Sequence, residues 1–147
     1  MAEISAQERA ERACDAMWGA DEASRALGMT CERVAPGEAV VSMPVEPRHC
    51  NGHKTCHGGM SYALADSAFA LACNSHNQVA VAQHNSMTYI APAFAGDVLT
   101  AHAVERSRSG RSGIYDVRIT NQNDALIAEF RGGSRVIRGQ HFEETEP

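Results

Sequence analysis

No stretch of this chain approaches the ~18 consecutive apolar residues that a membrane-spanning helix needs, and Met1 to Arg9 supply neither a basic nor an apolar targeting segment. A membrane protein is therefore not expected, and the cytoplasm is the expected location. Clustered basic charge is missing as well. The 147 residues hold 13 Lys and Arg against 18 Asp and Glu, a formal net charge of -5 with the two signs interspersed. Such a distribution offers no face that would neutralise a phosphate backbone, which argues against nucleic-acid binding. There is no Cys-x-x-Cys, and the five cysteines (Cys14, Cys31, Cys50, Cys56 and Cys73) form an odd set. Reduced thiols are expected rather than a disulfide framework. Internal repeats and low-complexity tracts are also absent. What is present is a 44% hydrophobic composition, enough for one core of ordinary size, so a single domain over 1–147 is expected.

Residues 5 to about 27 are rich in Ala, Glu and Arg, and Ala13, Met17, Trp18 and Leu27 make a partial apolar stripe at helical spacing. This predicts a peripheral helix, interrupted near Gly19. Met29 to Val34 and Ala39 to Met43 read as a hairpin across Ala35-Pro36-Gly37-Glu38. A loop from Pro44 to Cys56 leads into Gly58 to Asn74, a segment dense in helix formers and apolar on nearly every side. Such a helix must be enclosed by other structure. Val79 to Ile90, Val98 to Arg108, Ile114 to Asn121 and Ala125 to Ile137 then read as strands joined by short loops, hence as an antiparallel meander. A tail of about 139–147 follows. The sum is an α+β arrangement, one curved antiparallel sheet wrapped around one long helix.

Asp66 stands out because helical spacing surrounds it with Tyr62, Ala63, Phe69 and Ala70, without a cation on its own helix. Burying an unpaired carboxylate costs several kcal/mol, so either a distant partner or a chemical use is required. At the start of that helix, His57-Gly58-Gly59 presents backbone N–H groups that no side chain obstructs. Together with the positive end of the helix dipole they can polarise a carbonyl and stabilise the charge that develops on its oxygen. Asp66 lies seven residues beyond Gly59, roughly 10 Å along the axis at ~1.5 Å per residue. One chain cannot bring both groups to one carbonyl. Asp66 of one protomer and Gly58 of another could meet if two such helices packed antiparallel about a twofold axis, which would create two equivalent sites.

The string Asn51-Gly52-His53-Lys54-Thr55-Cys56-His57-Gly58-Gly59, followed by Leu64-Ala65-Asp66, resembles the hotdog-fold acyl-CoA thioesterases, and within them those of phenylacetic acid degradation. The likeness continues through Ala72-Cys73-Asn74-Ser75, Ala93-Phe94-Ala95-Gly96-Asp97 and Phe130-Arg131-Gly132, and covers roughly residues 30 to 138. It implies a hotdog fold with an extra N-terminal helix, active sites at a dimer interface, and dimers of dimers. Asp66 would be the nucleophile or the general base, Gly58 would supply the polarising N–H, and Asn51 and His57 would orient the thioester or the water. Gly59 and Ser67 are expected to contact substrate, and Arg106, Arg108 and Arg111 around a hairpin tip are candidates for the CoA phosphates. The implied substrates are phenylacetyl-CoA and its ring-hydroxylated derivatives; no metal or cofactor is implied. Two departures are Lys54, where similar sequences often carry Gly, and Ala82, where some carry a hydroxyl.

Three other readings compete. His49, Cys50, His53, Cys56 and His57 lie close together, but their spacing matches no common zinc pattern. A non-catalytic acyl-CoA-binding module on the same fold would leave Asp66 without a purpose. An enoyl-thioester hydratase would use His57 or His84, and no motif supports it.

Overall fold

The computed structural model describes residues 3–144. Helix α1 spans Ala6–Ala20, and Ser5 caps it by accepting from the Glu8 N–H at 3.0 Å. The break in the N-terminal helix falls at Asp21 rather than at Gly19. The Asp21 carboxylate accepts from the Ser24 N–H at 2.9 Å and so starts a second short helix, α2, at Glu22–Ala26. An aspartate that can satisfy orphan N–H groups decides a helix boundary more firmly than a glycine that merely tolerates one.

Strands β1 (Thr30–Ala35) and β2 (Glu38–Pro44) form the expected hairpin. Gly37 turns it at φ 70°, and a side chain there would press on Glu105. A loop with one 3-10 turn, Pro47–His49, leads to α3, which runs from Gly58 to Asn74. Four strands follow: β3 (Ala80–Tyr89), β4 (Val98–Ser109), β5 (Ser112–Thr120) and β6 (Leu126–Val136). Every pairing is antiparallel, in the order β1-β2-β4-β5-β6-β3.

That order corrects the expected meander. β4, β5 and β6 are consecutive neighbours, but β3 leaves the sequence and pairs with β6 at the far edge. β2 takes the place beside β4 instead. The sheet packs α3 against all six of its strands, which it can do only by curling around the helix.

The core is the interface between them. α3 contributes Leu64, Ala65, Ala68, Phe69, Leu71 and Ala72, all buried, while β4 and β5 turn Leu99, Ala101, Ala103, Val117 and Ile119 inward. Each large apolar side chain so enclosed contributes about 1.5–3 kcal/mol. The Phe69 ring packs against Tyr115 and Phe130, with centroids 5.6 and 5.7 Å away. It lies directly over Gly132, where a Cβ would come within 2.8 Å of three ring carbons. The glycine in the middle of β6 therefore sets how closely helix and sheet approach.

Part of the tail is anchored. Asn77, buried after the end of α3, accepts from the His141 N–H and donates to the Phe142 carbonyl, and Arg9 pairs with Glu144. Residues 145–147 of the expected tail lie outside the described residues. Among the described residues no helix is long and apolar enough to cross a membrane.

Candidate active site

Asp66 sits in the middle of α3 on the side that faces β3. Its partner is not a cation: the Asn85 carboxamide reaches from β3 and donates Nδ2–H to Asp66 Oδ1 at 3.3 Å. Burial pushes the Asp66 carboxyl above its ordinary value, and the Asn85 bond offsets part of that rise. A desolvated carboxylate with one neutral donor keeps a lone pair free and is a stronger base than a solvated one.

The helix start is more selective than its sequence suggests. His57 caps α3, with Nδ1 accepting from the Gly59 N–H at 2.9 Å and its carbonyl accepting from Met60 and Ser61. Gly58 alone keeps an N–H without an acceptor among the described residues. Because Nδ1 is used as an acceptor, the neutral ring carries its proton on Nε2, which is then available as a donor. Tyr89 closes the other side: its hydroxyl donates to the Gly58 carbonyl at 2.9 Å, and its ring would lie 3.1 Å from any Cβ at residue 58. A recess of about 340 Å³ opens here between Thr55, Gly58, Ser61, Tyr89, Ile90 and Ile127.

Asn51 organises the loop before the helix. Its Oδ1 accepts from the His53 and Thr55 N–H groups and from the Thr55 hydroxyl, so only its Nδ2 remains for a ligand. Lys54 in that loop has φ 63°, the left-handed region that glycine occupies at least cost, so Lys is the costlier residue at this position.

The other sequence-derived candidates are dispersed. The Ser67 hydroxyl is shared with Ser24 of α2 at 2.8 Å, so it joins helix to helix instead of standing free for substrate. Arg106 is paired with Asp116, which also binds Arg131, while Arg108 and Arg111 are exposed at the β4–β5 turn. His84 projects from the face of β3 opposite Asn85 and so away from Asp66. His49 is buried, with Nδ1 accepting from the Glu46 N–H, and serves the 3-10 turn. A recess of about 600 Å³ lies on the outer sheet face among Ser86, Thr88, His102, Arg106, Asp116 and Arg131. Its arginines and acids pair with one another, and α3 with Asp66 is on the other side of the sheet.

Within one protomer Asp66 and the Gly58 N–H do not converge, as the helical spacing required. The strand beside Asp66 is an open edge of the sheet: β3 pairs only with β6, most of its residues are exposed, and Val81 and Tyr89 are 44 and 53% exposed. Two residues escaped the sequence reading, Asn85 and Tyr89. Both lie on the inner face of β3 only because a bulge after Ala82 shifts the alternation by one residue.

Known proteins resemble this chain over most of its length. Residues 53–128 match the family described as Thioesterase superfamily. Acyl-coenzyme A thioesterase PaaI of Escherichia coli (strain K12) is 44% identical over 124 residues, which cover 84% of this chain and 89% of that protein. The structure of the E. coli PaaI protein from the phenylacetic acid degradation operon superposes with a TM-score of 0.91 at 42% identity, over 92% of this chain and 99% of that one. A hypothetical thioesterase from Streptococcus pneumoniae, solved with coenzyme A, is 26% identical with a TM-score of 0.73, over 76% of this chain and 87% of that one.

Proposed function

The chain belongs to the thioesterase superfamily and has its hotdog fold, and from that premise we propose that it is a single-domain acyl-CoA thioesterase for phenylacetyl-CoA and ring-hydroxylated relatives. The reaction is hydrolysis to free acid and CoA. The acyl preference rests on the similarity to PaaI, a protein of the phenylacetic acid degradation operon. Use of CoA esters is supported by the relative solved with coenzyme A.

The observation that carries the reading is a half-buried, cation-free Asp66 in the middle of α3 together with one unoccupied N–H at the start of the same helix. Pairing β3 with the β3 of a second copy would satisfy the open sheet edge and lay the two α3 helices side by side, antiparallel. Asp66 would then face the partner's Gly58. The thioester carbonyl accepts from the Gly58 N–H at the positive helix end, which stabilises the oxyanion. Asp66 either takes a proton from water as that water attacks the carbonyl carbon, or attacks it directly to give an anhydride that water opens. In both routes the C–S bond breaks and the CoA thiolate leaves, to be protonated from solvent. His57 Nε2–H and Asn51 Nδ2–H are the remaining donors for the thioester or the water. Dimers pair further into tetramers, and Arg106, Arg108 and Arg111 remain candidates for the CoA phosphates.

A thiol-release assay over aromatic and aliphatic acyl-CoA esters tests reaction and substrate together. Phenylacetyl-CoA should give the highest kcat/KM. A flat profile, or a preference for long aliphatic chains, would overturn the assignment of the acyl group, and no release from any ester would overturn the enzyme.

A further inference from the structure

We infer that Asn85 is a positioning residue that fixes the orientation and charge of the Asp66 carboxylate from the opposite strand. This rests on the reading of Asp66 as the catalytic group and adds to it a residue that no motif in the chain marks. Three observations carry it. Asn85 Nδ2 is the sole hydrogen-bond donor to Asp66 among the described residues, at 3.3 Å. The other end of the same carboxamide, Oδ1, is enclosed and has no partner there. And the side chain faces inward only because of the bulge after Ala82, opposite Gly132 on β6.

An enclosed acceptor without a donor lowers stability, so Asn85 is a poor choice for packing at this position. An apolar side chain of the same size would fill the space without that cost. What the carboxamide supplies is one N–H aimed at one carboxylate oxygen, which holds the χ angles of Asp66 and leaves Oδ2 free to face the reacting carbon. It also favours the anion against the desolvation that opposes it. Ala82, just before the bulge, supplies no polar group.

The electrostatic surroundings make this bond decisive. On α3 the titratable neighbours are Tyr62, one turn before Asp66, and Cys73, two turns after it, whose thiol burial pushes up to about 12. The inward residues of β3 and β6 close by, Met87, Phe130, Gly132 and Ser134, carry no charge. α2 contributes Ser24, bonded to Ser67. In the proposed dimer the partner's helix start adds its His57. Asn85 is thus the main group in the protomer that counters the rise in Asp66 caused by burial.

The test is the pH profile of phenylacetyl-CoA cleavage by the intact oligomer carrying Asn85→Leu, Asn85→Gln or Asp66→Asn. Cleavage needs Asp66 ionised, so rate rises with pH through its titration. Loss of the donated bond should move that acidic limb to higher pH, lower kcat about tenfold and leave KM within about twofold, with folding retained. Asn85→Gln, which keeps a carboxamide donor, should return the limb towards the wild-type position. Should Leu not be accommodated, Asn85→Ala carries the same expectation. Direct titration of the Asp66 carboxyl by 13C NMR separates its shift from any contributed by His57. An unmoved limb and an unmoved carboxyl titration in Asn85→Leu, with Asp66→Asn inactive, would refute the role of Asn85 alone. Wild-type cleavage by Asp66→Asn would instead refute the site on which it rests.

Discussion

Replacing Asp66 by Asn separates catalysis from stability in one residue. The substitution keeps shape and can still accept the Asn85 N–H at Oδ1, but it removes the anion. A positioned general base contributes roughly 10²–10⁴-fold, or about 3–5 kcal/mol of barrier, so kcat should fall by at least that lower factor with KM little changed. The effect on stability has the opposite sign. Burial raises the folded-state pKa of Asp66, so between the ordinary carboxylate value and the raised one the folded chain binds more protons than the unfolded chain. Stability from this group is therefore fully present at low pH and is lost as pH rises through the folded-state value. At neutral pH the ionised carboxylate opposes folding, and the amide does not. Asp66→Asn should accordingly be as stable as wild type or more stable at pH 7, with the advantage shrinking as pH falls through the carboxylate range. Thiol release gives the rate, and thermal unfolding from pH 4 to 8 gives the sign. An inactive variant that is also less stable at pH 7 would show that the carboxylate is structural and would refute the reasoning.

Two further substitutions probe the framework of the site. Lys54→Gly removes a side chain from left-handed backbone at φ 63° and should leave Tm unchanged or raise it by a few degrees, since relief of about 1 kcal/mol is offset in part by the freer unfolded chain; a clear fall in Tm would mean that the Lys54 side chain makes a stabilising contact. Gly132→Ala places a methyl 2.8 Å from the Phe69 ring and should cost about 1–3 kcal/mol by overpacking, visible in denaturant unfolding, whereas no change would show that helix and sheet can separate freely.

The parts of the fold that were legible in the sequence are those fixed by neighbouring residues. α3 starts and ends where the Gly-Gly pair and the Asn-Ser boundary placed it, because helix formers and end signals act locally. Strand ranges came out within a residue or two for the same reason. The position of β3 did not, because strand order depends on which surfaces meet after the chain has collapsed. β3 lies at the edge with most of its residues exposed, and nothing in its own alternation distinguishes that from a central position. The site divides in the same way. Asp66 and Gly58 announce themselves as a carboxylate in an apolar helix and a glycine at its start. Asn85 could not be found, since plain alternation from buried Ala80 points it outward and one bulge residue reverses it. Nor could the sequence show that the Gly59 N–H is already taken by His57, or that the Ser67 hydroxyl is held by Ser24.

Subunit mixing puts the shared site to its most direct test. Gly58→Pro removes the free N–H but keeps the helix, because proline is compatible with a first helical position and His57, at φ -59° and ψ 132°, already has the extended backbone that precedes proline; the added Cβ comes within 3.1 Å of Tyr89, an exposed side chain that can turn aside. Each variant alone should be inactive, losing roughly 10²–10³-fold in the case of Gly58→Pro. In a mixed dimer of Asp66→Asn and Gly58→Pro chains, one of the two sites joins an intact Asp66 to an intact Gly58 N–H. Activity should return to about half the wild-type value per dimer of that composition. Mixed dimers, verified by mass, that stay as inactive as their parents would contradict a site built from two chains.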